Sequence, residues 1–205
     1  MNNFDDNFYS VPISQVAVVM VDFQNDFCGP TMPSGENDHT HNATTAQRAN
    51  EFAAKTVELG AHVVYSQQIL DFNKLTARQK RWEKPDGLCA KDSSGAELFI
   101  EPVVGSSVIA KYRYDIWQST EFIQYLEAKN IDAVIICGVE LSHCVLYAII
   151  GAAERGYHYL VAKDLVSGQD SGDETYNKAV RDFMQLTHPR RYTTSEEILK
   201  NWQAR

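Results

Sequence analysis

The sequence predicts a three-layer α/β sandwich built on a six-stranded, mainly parallel sheet. Two observations carry this. Short β-branched apolar runs alternate along the chain with stretches of helical periodicity. The runs are also continuously apolar instead of alternating with polar residues, as suits strands buried on both faces of a parallel sheet.

The strands are expected in order at "QVAVVMV" (15–21), "AHVVYS" (61–66), "SSVIAK" (106–111), "DAVIIC" (132–137), "YHYLVAK" (157–163) and "RRYTT" (190–194). Helices are expected at "ATTAQRANEFAAKTVELG", "STEFIQYLEAKN", "SHCVLYAIIGAAERG", "ETYNKAVRDFMQL" and "TSEEILKNW". Gly60 and Gly156 stand where helices stop, and Thr194 with Glu197 has capping-box spacing. No repeat, linker or low-complexity tract divides residues 1–205, so one domain is expected. The connection 67–105 is long for such a domain and carries Phe72, Trp82 and Phe99. Connections of this length cover sites or form surface excursions and subunit contacts.

Bulk properties narrow the function. A formal charge of -8, with only the small basic clusters "RQKRWEK" and "HPRR", argues against nucleic acid as a partner. No apolar stretch is long enough to span a bilayer, and "MNNFDDNFYS" lacks the pattern of a leader, so a cytoplasmic protein without a membrane partner is expected. The cysteines at 28, 89, 137 and 144 lack C-x-x-C spacing, which suggests free thiols and no zinc site. No G-x-G-x-x-G follows the first strand, and no Walker A lysine is present.

Ligands of doubly wound sheets bind beyond the carboxyl ends of the strands. Three such ends bring together an acid, an amine and a thiol: Asp22 in "VVMVDFQNDFCGP", Lys111 in "VIAKYRYDIW" and Cys144 in "GVELSHCV". A helix start and a nearby cation both favour a thiolate, so Cys144 is expected to be activated beside Lys111. Asp22 would take the thiol proton and return it to a leaving amine. A cysteine before "VLYAII" could also be a small buried apolar residue, and the Asp22 and Lys111 context favours the nucleophile.

Other residues are candidates for the pocket wall. Tyr114 and Trp117 supply aromatic surface, with Phe27 and Gln24 as further candidates. Arg113 could meet a substrate carboxylate or hold a structural acid such as Asp115 or Glu121. Asp26 reads as a turn or capping group, Cys137 as a core residue, and Cys28 and Cys89 as loop thiols. His39 and His41 beside Asp38 invite a metal reading, but the loop offers no third well-spaced ligand. No metal or cofactor is expected.

The three motifs in this order resemble the isochorismatase-like cysteine hydrolases, which include nicotinamidases, carbamoylsarcosine and ureidoacrylate amidohydrolases and biuret hydrolases. "VDFQNDF" is similar to the family's aspartate motif, "KYRYDIW" to its lysine motif and "GVELSHCV" to its nucleophile motif. "RRYTTSEEIL" resembles its usual close. The resemblance implies catalytic roles for Asp22, Lys111 and Cys144, and strand order 3-2-1-4-5-6. It also implies a cis peptide between Val139 and Glu140, an oxyanion hole from the Glu140 and Cys144 backbone N–H groups, and a homo-oligomer.

Where nicotinamidases carry an Asp-x-His signature and a further histidine, this chain has "YSQQILDFN", and Glu140 stands where their small residue is usual. Their metal site and nicotinamide itself are therefore not expected. The resulting expectation is hydrolysis of a small amide, ureide or carbamoyl-type C–N bond through a thioester. Vinyl-ether hydrolysis of the isochorismatase type, or a non-catalytic binding protein on the same fold, are the alternatives.

Overall fold

A computed structural model of the chain describes residues 8–29, 40–167, 174–188 and 190–204. Six strands, β1 (Val16–Val21), β2 (His62–Gln68), β3 (Ser107–Lys111), β4 (Ala133–Val139), β5 (His158–Ser167) and β6 (Tyr192–Thr193), form one sheet in the order β3-β2-β1-β4-β5-β6. Every neighbouring pair is parallel. β1 and β4 are buried along their whole length, which is why their runs are apolar without alternation.

The helices are α1 (Asn25–Cys28), α2 (Thr40–Glu58), α3 (Thr120–Ala128), α4 (Leu146–Glu154), α5 (Glu174–Thr187) and α6 (Ser195–Gln203). Successive residues of β1 face opposite layers, following the period of two of an extended chain. Val16, Val18 and Met20 pack with Phe52 and Ala53 of α2 and with Ile198 and Trp202 of α6. Ala17, Val19 and Val21 pack with Phe122 and Leu126 of α3, Ile149 of α4 and Met184 of α5. The sandwich is therefore closed on both faces by apolar burial.

Several expected bounds move. β2 and β5 run further than expected, β5 passing an irregularity in its register with β4 between Ile136 and Gly138. α1 was not foreseen, because four residues are too few to show helical periodicity. Thr194 caps α6 as its spacing predicts, accepting the Glu197 N–H at 3.2 Å. The helix expected from Ser142 instead begins as a π-helical turn, Leu141–Val145, before α4. There the Glu140 carbonyl accepts from the N–H of both His143 and Val145, at 3.1 and 3.2 Å.

Chain order reverses between β1 and β4, so a crevice opens beyond their carboxyl ends. The two strands approach closely there. Gly138 has φ +140°, and a Cβ at this position would lie 2.3 Å from the Val21 carbonyl oxygen.

Candidate active site

Asp22 is the first residue past β1 and Lys111 the last of β3, while Cys144 lies in the π turn after β4. Asp22 turns out of the strand with φ 51°, a conformation that aspartate tolerates better than most residues. Its backbone N–H donates to Ser66 Oγ at 3.1 Å, and the Ser66 hydroxyl donates back to Asp22 Oδ1 at 2.6 Å. The other carboxylate oxygen is 2.6 Å from Lys111 Nζ. Ser66 thus fixes the carboxylate from the neighbouring strand, and Lys111 meets it from the side of β3.

Lys111 is almost fully enclosed, at 1% exposure. Its ammonium also donates to the Arg113 carbonyl oxygen at 2.9 Å, to Gln68 Oε1 at 3.4 Å and to Cys144 Sγ at 3.5 Å. The thiol lies 3.8 Å from the same Gln68 oxygen. Burial works against charge on Lys111, but Asp22 and Cys144 outweigh it and hold the amine above its usual range. Lys111 is therefore a cation in the resting site.

Cys144 corrects the expectation of an activated thiolate. Burial, then the negative charge of Asp22, push its thiol well above the ordinary value, and Lys111 only partly opposes them. The residue is 4% exposed and sits in a π turn, not at the first turn of the long helix. The resting sulfur is a protonated thiol with a carboxylate acceptor nearby.

A cleft of about 250 Å³ reaches Cys144 from solvent. Phe27, Arg113, Tyr114, Val139 and Glu140 line it. Two candidates do not. Gln24 is fully buried and ties the long connection to β2: its amide donates to the carbonyls of Gln68 and Ala96, at 2.9 and 2.7 Å, and accepts the Gln68 N–H. Trp117 packs its ring against Gly151 of α4 and donates Nε1–H to the Ala148 carbonyl at 2.9 Å.

Arg113 meets neither Asp115 nor Glu121. It pairs with Glu83 of the long connection, while the Asp115 carboxylate accepts the Trp117 N–H. Glu140 faces the cleft, with Oε2 3.8 Å from His143 Nδ1. The peptide joining Val139 to Glu140 is cis. Gln68, Leu70, Glu83, Leu88, Tyr112 and His143 complete the lining and were not picked out from the sequence. Two of them had a usable signal: His143 stands beside Cys144, and Tyr112 lies between Lys111 and Arg113.

The connection 67–105 does cover the site, through Leu70, Glu83 and Leu88, although Trp82 is 85% exposed. Asp26 pins that connection, accepting the Cys89 N–H at 2.6 Å. Cys28 closes α1 and does not lie in a loop, whereas Cys89 lies in a turn of the connection, and both are buried; Cys137 lies within β4 as expected. His39 lies outside the described residues, and His41 is exposed on α2. Among the described residues no three metal-ligating side chains gather, and no helix is long and apolar enough to cross a membrane.

Residues 16–189 match the family model described as the Isochorismatase domain. The chain is similar to ureidoacrylate amidohydrolase RutB of Azorhizobium caulinodans, 26% identical over a 193-residue alignment covering 83% of each protein. Its fold is similar to a cysteine hydrolase from Pseudomonas syringae pv. phaseolicola, with TM-score 0.80, 19% identity and 95% of each chain covered. It also resembles N-carbamoylsarcosine amidase from Thermoplasma acidophilum, with TM-score 0.69 and 22% identity over 88% of this chain and 96% of that one.

Proposed function

The chain belongs to the isochorismatase family, and on that premise we propose that it is a cysteine-dependent hydrolase of a small amide, ureide or carbamoyl-type compound. One observation carries the reading. The Lys111 ammonium stands between the Asp22 carboxylate and the Cys144 thiol, 2.6 Å from one and 3.5 Å from the other, where the cleft ends. The names of the amidohydrolase and amidase relatives support the type of C–N bond cleaved.

In this mechanism the Cys144 thiol passes its proton to Asp22 as the sulfur attacks the substrate carbonyl carbon. The raised thiol pKa fits a nucleophile unmasked only when substrate is present. The carbonyl oxygen becomes an oxyanion, which the backbone N–H groups of Glu140 and Cys144 stabilise. The C–N bond then breaks, and Asp22 returns the proton to the leaving amine or ammonia. A water, deprotonated by Asp22, attacks the thioester, releasing the acid and restoring the thiol. Lys111 stays protonated throughout and limits the build-up of negative charge between Asp22 and the sulfur.

The test is ammonia release from a panel of small neutral amides and ureides by wild type and Cys144→Ala. Release by the wild type that falls at least ~10²-fold in the variant is expected. Equal release by both contradicts the mechanism. The same reading takes the chain as one hydrolase domain and as a homo-oligomer. Tyr114 at the cleft and Tyr147 stacked beside it, both partly exposed, support the latter, and a purely monomeric species in sedimentation would exclude it.

A further inference from the structure

Arg113 is the one permanent cation among the described residues lining the cleft, and it is already occupied. Its guanidinium donates to Glu83 Oε1, with the two side chains only 31% and 24% exposed. On its other side it lies over the Tyr114 ring, 5.3 Å from the centroid. Glu140 adds a second carboxylate to the lining. Deeper in, Asp22 and Lys111 offset one another and the thiol is neutral. An entering molecule therefore meets two carboxylates, Glu83 and Glu140, against one guanidinium.

We infer that Glu83 and Arg113 form a charge filter that admits uncharged amides and ureides to Cys144 and turns carboxylate-bearing compounds away. This rests on reading the cleft as the hydrolase site and narrows its substrate class. Glu83 already takes one N–H of Arg113 and offsets its charge. An anion reaching the guanidinium must therefore sit beside the Glu83 carboxylate, with Glu140 in the same lining, or displace Glu83 and leave that carboxylate unpaired. An uncharged carboxamide needs no displacement, and its N–H groups can donate to the carboxylates of the wall.

Iodoacetamide and iodoacetate make a matched pair of probes. In both, the cysteine sulfur displaces iodide to form an S–CH₂ bond, and they differ only in carboxamide against carboxylate. The rate at Cys144 is read by peptide mass spectrometry at about pH 8, where histidine is mostly neutral. The iodoacetate to iodoacetamide ratio is then divided by the same ratio for free cysteine, so that differences in thiol reactivity cancel.

In wild type the normalised ratio should be about 0.1 or lower, and Glu83→Gln, which frees Arg113, should raise it about tenfold. The double variant Glu83→Gln with Arg113→Gln should lose that gain. A wild-type ratio equal to that of free cysteine, a ratio unchanged by Glu83→Gln, or no modification of Cys144 by either reagent would overturn the filter. Hydrolysis is scored separately. Predicted ratios without amide turnover would sink the hydrolase reading alone, and Cys144-dependent turnover with flat ratios would sink the filter alone.

Discussion

Lys111 Nζ lies 3.5 Å from Cys144 Sγ, yet the thiol it faces is held protonated, because burial and Asp22 together outweigh the cation. On the proposed mechanism the thiol therefore gives up its proton only as it attacks the substrate.

Asp22→Asn should therefore move two readouts in opposite directions. Losing the carboxylate removes a cause of the raised thiol pKa, so alkylation of Cys144 by iodoacetamide at fixed pH should speed up. Turnover should drop by ~10²-fold or more, since the proton acceptor is gone. Parallel loss of both would mean that Asp22 only supports the local structure.

Lys111→Ala should cost both activity and stability. It leaves the Asp22 carboxylate buried without its cation, a loss of about 3 kcal/mol or more. Urea unfolding should register this, whereas Cys144→Ala should keep a native circular dichroism spectrum while losing turnover. An unfolding midpoint unchanged by Lys111→Ala would contradict the ion pair.

Alkaline pH should unfold the protein progressively. The buried Cys28 thiol is pushed up to about 12 by burial and by Glu140 and Asp22, and Cys89, Cys137 and Cys144 are raised as well. Above the ordinary thiol value the unfolded chain loses protons that the folded chain keeps. The stabilisation, complete below about pH 8.5, is therefore lost as pH climbs, by about 1.4 kcal/mol per pH unit per thiol. The raised Lys111 acts in the same direction at higher pH. Urea midpoints under reducing conditions should fall from about pH 9 upward and fall less steeply in Cys28→Ala. A flat profile would contradict these burials.

Gly138→Ala should be severe. The new methyl would meet the Val21 carbonyl at 2.3 Å in a backbone conformation with positive φ, at a cost of about 3 kcal/mol or more. A melting temperature equal to wild type would show that β1 and β4 can part more easily than their packing implies.

The strands were legible because buried parallel strands are continuously apolar, and their ends pointed to Asp22, Lys111 and Cys144. Depth was not legible. The aromatic surface of Trp117 suggests a pocket wall, but its ring turns toward Gly151, and Gln24 goes inward to hold Gln68 and Ala96. Glu83 was hidden for the opposite reason: it reaches Arg113 from a connection without periodicity. The thiol's protonation also escaped sequence reasoning, because a helix start and a lysine can be read from spacing whereas desolvation depends on everything packed around the sulfur.

The most direct measurement is acid-quench mass spectrometry of the wild-type enzyme during turnover of an amide that releases ammonia. The account predicts an acyl group, the substrate less its amine, on the peptide carrying Cys144, and its absence in Cys144→Ala. Steady turnover with Cys144 unmodified at every quench time, and undiminished in Cys144→Ala, would contradict it.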